Sequence, residues 1–159
     1  MPYPEFDRFA VKMESLSARQ NKQQIEKDHV SPDTEPPALS EVASETVQEL
    51  VQRVRTAQDN HRPVIVAFGA HTIKNELGPV LLRLVERGWV THLATNGAGV
   101  IHDWEFAYQG ESSEHVGPMV AAGRFGHWQE TSFSINLALN VGAFEGLGYG
   151  ESIGALIEN

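Results

Sequence analysis

The run Thr95-Asn96-Gly97-Ala98-Gly99-Val100-Ile101-His102-Asp103 holds the densest chemistry in the chain. It follows an apolar stretch at 90–95 and precedes a helical pattern, so it reads as a strand-to-helix turn. Gly97 and Gly99 let the backbone turn sharply and approach a ligand, and free amides at a helix start attract phosphate. As a dinucleotide fingerprint the run is incomplete, because His102 stands where the third glycine belongs. The plain alternative is an ordinary strand-to-helix turn.

A second polar turn, Gly69-Ala70-His71-Thr72, follows the apolar run Val64-Ile65-Val66-Ala67-Phe68. In an open parallel sheet, turns at the carboxyl ends of neighbouring strands share one crevice, where ligands bind. His71, Thr72, Asn96 and His102 are therefore expected to line one polar pocket, an exposed loop histidine being the alternative for His71. At the start of the helix after residue 99, His102, Asp103 and Glu105 crowd together. The helix dipole favours acids there and keeps an imidazole neutral. A neutral His102 can act as a general base, oriented by Asp103 or Glu105. Alternatively, His102 caps the helix or packs on Trp104.

Three further patterns carry less. Zinc would want His71 beside His102, but the spacing fits no metal motif and no metal is expected. Gly150-Glu151-Ser152-Ile153-Gly154 has nucleophile-elbow spacing without the strand that must precede it. The loop with Phe125, His127 and Trp128 reads as core, or as cover for a site.

These residues need elements to hold them. Residues 40–58 repeat apolar side chains at helical spacing, with Ser40 or Ser44 as N-cap. Residues 64–68 and 90–95 read as buried parallel strands, separated by a helix over 79–87 with Pro79 near its start and Gly88 past its end. A third helix is expected over 100–108. Ser112 or Ser113 caps a short helix through residue 122, residues 130–144 form another, and 146–150 is a glycine hinge before a last helix. Strand–helix–strand–helix order implies an α/β fold with a parallel sheet and flanking helices. Residues 1–38 read as an arm, mobile or laid on a partner subunit, and 39–159 as an α/β domain unfinished at its C-terminal side.

Composition narrows the classes. The chain has 159 residues, no cysteine, and 21 acids against 12 bases for a net charge of −9. That removes disulfide scaffolds, thiolate metal sites and thiol nucleophiles, and leaves no basic footprint for nucleic acid. No apolar run has the length of a membrane helix, and the first residues lack a secretory core. A cytoplasmic protein with a small-molecule or protein partner is the expectation.

From about residue 63 to 110, and more loosely to 159, the chain resembles deoxyhypusine synthase and its bacterial relatives. The resemblance rests on the strand 64–69, on Gly78 nine residues beyond Gly69, on the strand and glycine turn over 90–99, and on Asp103 in the following helix. In that family the second turn reads Thr-Thr-Ala-Gly-Gly and touches a nicotinamide cofactor; here Thr95, Asn96, Gly97, Ala98 and Gly99 occupy it. Gly69, Ala70, His71 and Thr72 match the first turn, which also lines the cofactor. The resemblance implies a Rossmann-like fold, NAD, and homo-oligomers, tetrameric in the family, with sites between subunits. It also implies aminobutyl transfer from a polyamine to an acceptor amine, and it makes this chain the front half of a larger domain, completed by more sequence or by a second chain. Two features depart from the family. Ile101 and His102 replace a glutamate pair that helps hold the polyamine, and the imine-forming lysine lies in the half not represented here. The expected function is an NAD-dependent transferase acting on an amine or related small metabolite. The alternatives are a non-catalytic regulatory or scaffold homologue and a histidine-based metal enzyme.

Overall fold

Local signals account for most elements of the computed structural model, which describes residues 3–159. Two short 3-10 turns, Arg8–Ala10 and Leu16–Ala18, come first, then β1 (Asn21–Gln24), α1 (Ile25–Asp28) and α2 (Glu41–Asp59). The N-cap of α2 is Ser40, whose hydroxyl accepts from Ala43 N–H at 3.3 Å. Next come β2 (Ile65–Ala67), α3 (Ala70–Lys74), α4 (Gly78–Glu86), β3 (His92–Ala94) and α5 (Gly97–Gln109). The last third holds β4 (Glu111–Glu114), α6 (Val116–Ala121), α7 (Gln129–Glu145) and α8 (Tyr149–Glu158). The protein is a mixed α/β structure, mostly helical, with two small sheets. No described helix is long and apolar enough to cross a membrane.

The chain divides into two units, residues Ile25–Asp103 and residues 3–24 with Trp104–Asn159. Of the expected arm, 1–38, residues 3–24 fall in one unit and 25–38 in the other, and residues 1 and 2 lie outside the described residues.

In the 25–103 unit, β2 and β3 pair in parallel, with Ile65 opposite His92, Val66 opposite Leu93 and Ala67 opposite Ala94. The expected parallel order is present, with two helices, α3 and α4, between the strands where one was expected. Leu81 and Val90 are its buried apolar residues, while Ile65, Leu93 and much of α2 stay exposed. Gly88 supplies the left-handed turn (φ 67°) that ends α4.

In the other unit, β1 and β4 pair antiparallel. This corrects the expectation of a helix starting at Ser112 or Ser113. Both serines lie in β4, because the polar segment 21–24 supplies a pairing strand that local pattern cannot reveal. The core collects Leu16, Trp104, Phe106, Trp128, Ile135, Ala138 and Ile153. Trp128 is therefore core: its indole N–H donates to Glu114 at 3.0 Å, and the Arg19 guanidinium lies 5.5 Å over its ring.

Helix α7 packs by Thr131, Ile135, Ala138 and Gly142, the small residues admitting α8 closely. Its other apolar stripe, Phe133, Leu137, Val141 and Phe144, is exposed. Gly146 (φ 79°) closes the helix, with Leu147 N–H donating to Gly142 C=O at 2.8 Å. The elbow-like Ser152 lies inside α8, buried, its hydroxyl donating to Gly148 C=O at 2.8 Å. It has neither the strand-to-helix turn nor the exposure a nucleophile needs.

Candidate functional site

The parallel register brings both polar turns to one edge of the sheet. Phe68 N–H donates to Ala94 C=O at 2.9 Å, so Gly69 and Thr95 leave from adjacent strand ends. The expected turn at 69–72 is the start of α3: Gly69 is its N-cap and His71 and Thr72 lie in its single turn. His71 is exposed and Thr72 half-buried. A Cβ on Gly69 would meet nothing within 4 Å, so no steric demand requires glycine there.

The run 96–99 likewise differs from a free glycine loop. Asn96 caps α5, its Oδ1 accepting from Gly99 N–H at 3.1 Å, and Gly97, Ala98 and Gly99 form the first helical turn. An N-cap amide satisfies one orphan donor of a helix start, as here. The amides of Gly97 and Ala98 have no carbonyl one turn earlier within the helix to donate to. Thr95, Asn96, Gly97 and Ala98 are exposed and Gly99 is buried. Gly99 is needed sterically, because a Cβ there would collide with Thr95 Oγ1. The donor set at this edge, two threonine hydroxyls, an asparagine side chain and two helix-start amides, is of the kind that holds a pyrophosphate.

His102 is half-buried in the second turn of α5, since the helix begins at Gly97. The dipole effect falls off within the first turn, so the helix start has little hold on the imidazole. Asp103 follows it, about 100° further round the helix, and successive residues do not face each other. Its side chain is exposed by surface area, and the protein around it displaces enough water to raise its carboxyl above the ordinary range.

Glu105, the other candidate to orient His102, is committed elsewhere. It is 1% exposed and accepts from Arg19 at 2.8 and 2.6 Å, from Ser112 Oγ at 2.6 Å and from Thr131 Oγ1 at 3.0 Å. This buried network was missed from sequence. Its partners are 86, 7 and 26 residues away from Glu105, beyond any local pattern.

A surface cavity of about 390 Å³ lies at the other end of the parallel strands, lined by Gln58, His61, Arg62, Pro63, Val64, Gly88 and Thr91. It contains none of the expected site residues. Among the described residues no group of three or more histidines, aspartates and glutamates is placed to hold a metal ion. No protein-family model, curated protein or solved structure matches the chain.

Proposed function

We propose that the chain is the NAD-binding part of a Rossmann-like, deoxyhypusine synthase-like enzyme that transfers an alkyl group from an amine or related small metabolite. The observation that carries this reading is the paired exit of residues 69–72 and 95–99 from adjacent parallel strands, with the helix-start amides of α5 between small residues. Thr72, Thr95, Asn96 and the amides of Gly97 and Ala98 would hold the cofactor phosphates, and His71 would border them. When bound, NAD supplies the redox step by taking a hydride from the carbon next to the substrate nitrogen. His102 takes the proton of the substrate ammonium on a ring nitrogen, and Asp103, about 100° further round the helix, adds a carboxyl to the same helical turn without facing the ring.

A two-stranded parallel sheet is below the usual size of a stable sheet and leaves both edges open. In this reading further strands complete it, from more sequence or from another copy in a homo-oligomer. Calorimetric titration with NAD tests the proposal. Saturable binding is the expected result, and no heat from a protein with native circular dichroism would end it. The absence of the glutamate pair at Ile101 and His102 favours a second reading, a non-catalytic homologue of the same family. Reduction of NAD on addition of an amine excludes that one.

A further inference from the structure

Glu76, in the turn between α3 and α4, carries several costs at once. Its backbone is left-handed (φ 60°), a region uncommon for residues other than glycine. The residue is 4% exposed, and neither carboxylate oxygen has a hydrogen-bond partner. Burial first, and Asp28 second, raise its carboxyl above the ordinary range, while His29 pulls the other way. A buried carboxyl without partners is expensive, and a bound cation is one way in which a native fold satisfies such a group. Backbone strain of this kind gathers at functional sites.

The surroundings say what would relieve these costs. Val30 N–H donates to Glu76 C=O at 3.2 Å, which holds the segment carrying Asp28 and His29 against this turn. Asp28 and His29 are exposed. The geometry points to a cation site: we propose that Glu76, with Asp28, receives the primary ammonium group of an amine ligand. An ammonium brings one positive charge and three N–H donors. It fills the orphan oxygens and cancels the repulsion between the two acids. A divalent metal suits the place less, because hard cations take roughly six to eight oxygen ligands and no three metal-ligating side chains converge among the described residues. The preference for an amine over other monovalent cations rests on the proposed function; the orphan carboxyl itself does not.

Calorimetric titration of the whole chain with butylamine, at mildly alkaline pH, tests this, with butan-1-ol and potassium chloride as controls. Butylamine binds and butan-1-ol does not. Glu76→Gln lowers the affinity about tenfold or more, as expected for loss of a charge-assisted bond, and melts no lower than the wild type. Asp28→Asn, on an exposed residue, weakens binding by a smaller factor. Equal binding by wild type and both variants, or no binding by the wild type, overturns the proposal, and so does potassium binding as tight as butylamine. A parallel NAD titration separates the two readings. Amine binding without NAD binding keeps the Glu76 site and ends the cofactor reading, and NAD binding without amine binding does the reverse.

Discussion

The Arg19 guanidinium and the Glu105 carboxylate meet in a two-pronged buried pair, with N–O distances of 2.8 and 2.6 Å. Arg19 also donates from Nε to Asn21 Oδ1 at 2.7 Å. Each guanidinium nitrogen and each carboxylate oxygen thus has a partner, the condition under which a buried ion pair is tolerated. The pair fastens the segment before β1 to the second half of α5.

Breaking one side of it is therefore costly. Arg19→Met leaves Glu105 charged and buried with only two hydroxyl donors, and a loss of about 3–5 kcal/mol is expected. Urea unfolding measures it. The double change Arg19→Met with Glu105→Leu should recover most of the loss. Failure to recover would assign the cost to the packing of Arg19 on Trp128 instead.

Acid should loosen a second attachment. Glu130 is held below the ordinary carboxylate range, first by Leu16 N–H at 2.6 Å and then by the Ser15 hydroxyl at 2.7 Å. A depressed folded value means that its stabilisation is complete above the ordinary value of about 4.3 and fades as pH falls through the depressed one. Melting temperatures of wild type and Glu130→Ala should differ at neutral pH and converge in strong acid. Glu76 and Asp103 act with the opposite sign. Their raised values make ionisation a cost, so their contribution to stability falls as pH rises through those values.

Two glycines differ in how hard they resist a methyl group. At Gly142 an added Cβ would overlap the Ser152 Oγ, come within 2.6 Å of its Cβ and lie 3.4 Å from its Cα. Gly142→Ala should cost about 1–3 kcal/mol by overpacking, and Ser152→Ala should not restore it, because the Cβ remains. At Gly99 the three nearest obstructing atoms all belong to the Thr95 side chain. Gly99→Ala should be repaired by Thr95→Ala in the same chain. Thermal melts of the four variants check both statements.

For His102 the expected separation is between turnover and affinity. If it is the base, His102→Gln lowers kcat by roughly 10²- to 10⁴-fold and leaves NAD affinity within a few-fold. Loss of melting temperature with activity retained would make it a packing residue. Steady-state kinetics and a thermal melt of the same sample decide.

Helix positions were legible where the code is local. Ser40, Pro79, Gly88 and the apolar periodicity of 40–58 and 130–144 placed α2, α4 and α7 to within a residue or two. The parallel pairing of 65–67 with 92–94 was legible in the strand–helix–strand order, although two helices rather than one lie between the strands. The strand at 111–114 was not legible, since Glu111-Ser112-Ser113-Glu114 has no strand character of its own and is fixed by Asn21, Gln23 and Gln24 across the ladder. The face that α7 buries was not legible either. The helix carries no charge between Glu130 and Glu145 to mark a solvent side, and packing selects the face with Thr131, Ile135, Ala138 and Gly142. At the site, the two turns were legible as neighbours. The commitment of Glu105 and the isolation of Glu76 were not, because both depend on residues distant in sequence or on backbone dihedrals.

The interrupted unit, 3–24 with 104–159, also dictates an order of assembly. A ribosome releases Arg19 long before Glu105, and Glu14 before its ion-pair partner Arg124, 110 residues later. During that interval the continuous stretch 25–103 has all its own contacts available, while the opening segment has only its short-range bonds, such as Arg19 to Asn21. Vectorial synthesis therefore favours folding of the middle of the chain first. The long loop that joins Arg19 to Glu105 closes late, and the entropy of that closure falls on the final step.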